Sequence, residues 1–232
     1  VRPPTLSLAV VLLLTGGEPA LTYRFASVKS TVVITHLGVE RRAAVGDVGL
    51  PGDKIRTGWL GRALIEAPAY AARFELLPAS EVQLTGPEPG VLLSVQRGRL
   101  KAFFDALRGV DERIVATPGA LLGVRGTRYA VEVRDDGSAT LAVFEGAVEV
   151  LPADPTFASM RVGAGELCRY GLREAPQRHP LPPGMTVEKW RGGLDGRDQG
   201  GSSRAPQSGV SPGPSAPRGA PERGKRGGAG RG

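Results

Sequence analysis

Apolar and polar residues alternate in short runs over most of the chain, and clusters of Gly, Pro and Asp separate the runs. A period of two puts every second side chain on one face of a pleated strand, so the pattern predicts β-strands. A first strand is predicted over residues 27–36, with a partner over 39–44. Further strands are predicted over 61–67 and 72–77, joined by a tight connection near Pro68-Ala69-Tyr70. Residues 81–84, 92–96 and 99–104 continue the series, with Arg97-Gly98-Arg99 read as a turn into the last of them. The Gly-Asp pairs Gly46-Asp47 and Gly52-Asp53 mark turns, because Asp bonds its own local backbone and Gly permits positive φ. Later in the chain, turn-forming residues around Thr117-Pro118-Gly119 lead into a run over 128–134 whose apolar positions Tyr129, Val131 and Val133 share one face. After Asp135-Asp136-Gly137 a second alternating run covers 140–150. No segment holds apolar spacings of three and four for more than about two helical turns. The fold class expected is therefore all-β: a single domain of many short antiparallel strands, either a sandwich or a solenoid-like roll, with a disordered C-terminal tail.

The two ends depart from this pattern. Arg2 precedes an apolar stretch over residues 6–14, and small residues Thr15-Gly16-Gly17 follow it. A positive start, an apolar core and a small-residue exit are the layout of a secretory signal peptide, assigned to 1–20. A nine-residue apolar stretch is well short of the ~20 residues that span a bilayer, so no stable membrane span is expected. Beyond Trp190 the chain is Gly, Ser, Pro, Arg and Gln with almost no apolar residue, and 192–232 is read as disordered. Between the domain and this tail, 173–191 is read as an extended Pro-rich connector, with Trp190 packed back on the domain.

Composition changes the picture in two places. The net charge of +7 invites a nucleic-acid reading, yet residues 192–232 hold seven basic and three acidic residues and so supply more than half of it. The central region is close to neutral with interleaved signs, which does not make a single-sign field for a phosphate backbone. Cys168 is the sole cysteine. An intramolecular disulfide and a multi-thiolate zinc site are both excluded, and a buried core thiol is the expected reading.

Several segments, taken in order, resemble the FecR domain. Gly46-Asp47 followed by residues 51–63 (PGDKIRTGWLGRA) is one, and Pro78-Ala79-Ser80-Glu81-Val82-Gln83-Leu84 is the next. Arg97 to Leu100 (RGRL) follows, and then Thr117-Pro118-Gly119 through Gly123-Val124-Arg125-Gly126-Thr127. Val162-Gly163-Ala164-Gly165-Glu166 closes the series, so the resemblance covers 27–172. Residues 64–74 lack the usual D-G-S hairpin, and 152–159 lengthen a connection. The resemblance implies an extracytoplasmic β-rich module, known best from iron-uptake signalling regulators.

The chemistry-bearing residues do not converge on a catalytic set. His36 and His179 are the only histidines, and neither falls in a metal or triad motif. Asp135-Asp136-Gly137 lacks the oxygen-ligand series of a calcium loop, and Gly163-Ala164-Gly165 lacks the third Gly of a dinucleotide fingerprint. No enzymatic activity, cofactor, metal or small-molecule substrate is expected. Arg125 and Thr127 are the candidate binding residues, against the alternative that the flanking glycines shape a bend while Arg125 pairs Glu145. The function expected is a non-enzymatic exported protein, periplasmic or secreted, serving as a binding or scaffolding module in the cell envelope. Its expected partner is an envelope protein or a cell-wall polymer, and nucleic acid is not. The alternative is a membrane-anchored regulator of envelope or iron-uptake signalling.

Overall fold

The structure is a computed structural model that describes residues 21–85, 90–105 and 113–191. The segments read as a signal peptide (1–20) and a disordered tail (192–232) lie outside the described residues. The predicted β character holds throughout. The strands are β1 (Tyr23–Lys29), β2 (Val32–His36), β3 (Val39–Arg42), β4 (Val48–Gly49), β5 (Lys54–Thr57) and β6 (Arg62–Ala67). A single 3₁₀ turn over Pro68–Tyr70 leads to β7 (Ala72–Leu76), β8 (Glu81–Leu84), β9 (Val91–Phe104), β10 (Arg113–Thr117) and β11 (Ala120–Val124). Then come β12 (Arg128–Val133), β13 (Ala139–Glu145), β14 (Ala147–Pro152), β15 (Met160–Gly163), β16 (Glu166–Gly171) and β17 (Glu174–Pro180).

All 17 strands belong to one connected sheet. Its ladders form two runs that share β9. One run is ordered β4-β1-β6-β7-β9-β12-β13-β16-β17, and the other β3-β2-β5-β8-β9-β10-β11-β14-β15. We call them the first and second layers. The pairing is antiparallel except between β9 and β10, which makes the sheet mixed. Alternate residues of both layers meet in one hydrophobic cluster that includes Tyr23, Phe25, Ile65, Phe74 and Val131 from the first and Ile34, Ile55, Val82, Val115 and Val150 from the second. Burial of that shared interior, and not local propensity, is what fixes the register, because a slip of one residue would turn every apolar side chain outward.

Four details differ from the sequence reading. The strand predicted over 27–36 is two, β1 and β2, in different layers, separated at Ser30 with φ of 57°. The turn expected at Arg97-Gly98-Arg99 is absent, and β9 runs through it while passing from one layer to the other. Gly98 has φ of +91°, and a Cβ there would lie 2.4 Å from the Ser80 Cα, so this crossing admits glycine alone. The run predicted over 140–150 breaks at Gly146 (φ +74°) into β13 and β14, again in different layers. Finally, the sheet does not end at residue 172: Glu174–Pro180, read as part of a connector, pairs with β16 as an edge strand whose Pro176 and Pro180 remove two backbone donors. The Gly-Asp turns stand as expected. Asp47 accepts from the Ala44 amide at 2.8 Å and Asp53 from the Leu50 amide at 3.0 Å.

Past β17, residues 181–191 form an irregular strap across the outer side of the first layer. Its Leu181 amide donates to the Gly165 carbonyl at 2.8 Å. Trp190, 1 % exposed, packs with Leu77, Ala130, Ala142 and Leu167 in a second apolar cluster, with Phe144, Leu181 and Met185 at its margin. This explains why β12 and β13 are buried on both faces.

Candidate functional site

The G-V-R-G-T segment forms the corner between β11 and β12. Thr127 is 1 % exposed; its hydroxyl donates to the Ala147 carbonyl at 2.9 Å, and its own carbonyl accepts from the Phe104 amide at 2.9 Å. It therefore ties this corner to the one at Gly146, where a Cβ would meet the Gly126 carbonyl oxygen at 2.6 Å. Thr127 is a structural pin, and it is not available to a ligand. Arg125 is exposed beside a concavity of about 660 Å³ lined also by Gly123, Val124, Gly146, Ala147, Glu149 and Arg161. The two candidate residues are thus separated by burial. The pairing with Glu145 is made not by Arg125 but by Arg128, at 3.1 Å, because β12 and β13 place Arg128 and Glu145 opposite each other.

A second concavity, of about 440 Å³, lies on the outer face of the first layer, and the strand register builds it. Two rows of outward residues cross the strands there. One reads Arg24, Glu66, Arg73, Phe103, Arg128, Glu145 from β1 to β13. The other reads Ser27, Leu64, Glu75, Lys101, Ala130, Ala142 and continues to Leu167 and His179. A bulge between Phe25 and Ser27 resets β1 so that Ser27 and Lys29 face outward beside Leu64 and Arg62.

The trough lining carries four cations (Lys29, Arg62, Arg73, Arg128) against one carboxylate, Glu75, over half-buried Leu64 and Phe103. Glu75 lies 3.7 Å from Arg62 and 3.5 Å from Lys101. Lys101 is 4 % exposed; burial pulls its ammonium below the usual range, against the attraction of Glu75, and nearby Arg191 and Arg62 lower it further. The Arg73 guanidinium sits 5.7 Å from the Phe103 ring centroid and 3.9 Å from Asp105 at the rim. Lys29 stands directly across from Arg62 and has no carboxylate within ion-pair distance among the described residues. Like charges directly opposed on neighbouring strands are destabilising, so the pair is an electrostatic cost retained in the fold.

Sequence reasoning did not reach this trough. Its residues come from five strands spread over positions 27–128, and only the pairing brings them together. The charged outer positions were visible as the polar half of each alternation, without any sign of which strands were neighbours. The other titratable groups have local roles. His36 bonds through Nδ1 to the buried Asp53 carboxylate at a turn, and burial pushes the Cys168 thiol up to about 11. Among the described residues, no group of three or more His, Cys, Asp or Glu comes together as a metal site, and no helix is long and apolar enough to cross a membrane.

Residues 53–149 match the family model described as FecR protein, so this part of the chain is similar to that family. The match begins in the turn before β5 and ends within β14, inside the larger sheet. Two crystal structures described as "a putative anti-sigma factor from Parabacteroides distasonis ATCC 8503" are similar to the chain at 17% identity, each with a TM-score of 0.47. The likeness covers 55% of this chain and 59% of those chains. Among curated proteins nothing matches.

Proposed function

We propose that this chain is a FecR-domain protein, a non-enzymatic binding module that is exported and serves signalling or assembly at the cell envelope. The FecR match over 53–149 carries the reading, since it supports a role related to envelope signalling. The surface adds to it: the domain offers a fixed, cationic trough on a sheet scaffold, and sites built on strands hold their geometry better than sites on loops. The buried hydroxyls of Thr127 and Thr57 each donate to a backbone carbonyl, a structural use of the kind a scaffold needs.

The test is fractionation of a bacterial host expressing the full chain, with the mature N-terminus read by mass spectrometry. A soluble periplasmic or secreted product starting near Glu18 or Leu21 supports the reading. A product held in the cytoplasm overturns it, and so does a turnover that vanishes on substitution of one Asp or His. An intact N-terminus in the membrane fraction would favour the anchored regulator in place of the free module.

A further inference from the structure

We propose that the trough on the outer face of the first layer binds an extended, mixed-charge but predominantly acidic peptide segment of a partner protein, lying across β1, β6, β7, β9 and β12. The assignment rests on the binding-module reading above and names the chemistry of its partner. Three observations converge on it.

The first is the charge balance. Four cations and one carboxylate line the concavity, and one of the cations, Lys29, is held opposite Arg62 with no acid within ion-pair distance among the described residues. A carboxylate brought in from outside would relieve that opposition and gain charge-assisted hydrogen bonds from guanidinium groups shaped for it.

The second is the pattern of the signs. The outward row from β1 to β13 alternates Arg24, Glu66, Arg73, Phe103, Arg128, Glu145, and Asp105 stands at the rim by Arg73. A polymer of unbroken negative charge would meet Glu66, Glu75, Asp105 and Glu145 at close range. A peptide can set its acids over the arginines and other side chains over the carboxylates. Leu64 and Phe103, half-buried at the floor, offer apolar contact that a sugar-phosphate chain would not use.

The third is size and access. Four strand spacings separate β1 from β12, roughly 19 Å, which an extended segment of about six residues spans. The strap over 181–191 covers the neighbouring half of the same face, and its Arg191 carbonyl accepts from Arg99, so it borders the trough without filling it.

The experiment is fluorescence anisotropy on the full chain with a labelled peptide of alternating glutamate and leucine, about six residues long. The proposal expects binding that weakens as salt rises and that falls by about tenfold or more in Lys29→Glu/Arg128→Glu, with Arg56→Glu on the second layer unchanged. Circular dichroism and thermal melting verify that each variant is folded. Equal binding by the wild type and the trough double variant would overturn the site, because the peptide would then sit elsewhere, the basic segment 192–232 included. No binding at low salt would overturn it as well. Displacement of the peptide by charge-matched inorganic polyphosphate at lower concentration than by unlabelled peptide would overturn the peptide assignment in favour of a phosphate polymer. Failure here with export intact leaves the envelope module standing, whereas cytoplasmic retention sinks that reading and leaves trough binding measurable in vitro.

Discussion

One face of the first layer carries two halves built on the same strand rows. Over β12, β13 and β16 the central row reads Ala130, Ala142, Leu167, and the chain lays Trp190 upon it. Over β1, β6, β7 and β9 the same row reads Ser27, Leu64, Glu75, Lys101; the strap comes near it at Lys101, through Arg191 and Glu188, and none of its residues lines the trough beyond. Two alanines make room for an indole, and their lack of polar atoms leaves nothing for water to hold. Lys101 and Glu75 occupy that space in the other half and hold a charge pair that an apolar cover would desolvate. The covered half is solved within the described residues, and the open half is the surface that the proposal above gives to a partner's segment.

The largest expected effect comes from uncovering the covered half. Trp190→Ala removes a side chain that is 1 % exposed, and the loss should be about 3 kcal/mol, seen as a lower midpoint in denaturant. Cys168 tells whether the strap peels or the sheet melts, because it lies on the core face of β16 next to Leu167 on the covered face. Burial pushes its thiol up to about 11, so alkylation at neutral pH should be slow in the native chain and remain slow if only the strap lifts. Fast alkylation in Trp190→Ala would mean that the strap holds β16 and β17 together. The same thiol gives a pH dependence. The folded form keeps its proton above the ordinary value of 9.0, so its share of stability is complete below about pH 9 and is lost as pH rises through about 11. Urea midpoints across that window should fall, and Cys168→Ala should flatten the first part of the fall, while burial of Tyr129 and Tyr170 extends it upward.

A smaller effect is expected from breaking the open half. Glu75→Gln removes the carboxylate near both Lys101 and Arg62 and leaves a nearly buried ammonium without its counter-charge. The cost should be about 1–3 kcal/mol by thermal or chemical unfolding. Lys101→Met in the same background should recover most of it, since the methionine asks for no partner. If Glu75→Gln is neutral and Lys101→Met recovers nothing, water solvates Lys101 and the two halves differ less than their sequences suggest.

How much of this contrast could be read from the chain differs between the halves. Trp190 stood out as the last apolar residue before a polar tail, and a lone aromatic there implies something to pack on. The strands themselves were legible wherever alternation was clean, as over 81–84, which β8 matches end to end. Alternation failed at the layer crossings. A run such as 140–150 changes phase at Gly146, from Leu141 and Val143 to Val148 and Val150, where the chain turns a corner, and alternation on either side reports the face of a residue and not the layer to which it belongs. Arg125 and Thr127 drew attention as a local motif, yet one is exposed beside a second-layer concavity and the other is a buried pin. The trough has no local motif at all. Ser27, Leu64, Glu75 and Lys101 become neighbours through three separate ladders, and pairing between strands tens of residues apart leaves no trace in a single sequence.

The smallest effect is the most telling about purpose. Lys29 and Arg62 face each other across β1 and β6, and no carboxylate among the described residues stands within ion-pair reach of Lys29. Converting the pair to opposite signs by Lys29→Glu should stabilise the domain by about 0.5 kcal/mol, a rise in melting midpoint that is small but has a definite sign. Lys29 is exposed, so the change buries nothing and opens no cavity. The same substitution places a carboxylate where an incoming acid would lie, so affinity for the acidic peptide should fall while stability rises. A residue kept for folding cannot behave in this way. If instead Lys29→Glu lowers stability, the lysine serves the fold of β1, and the open half loses the charge opposition that distinguishes it from its covered neighbour.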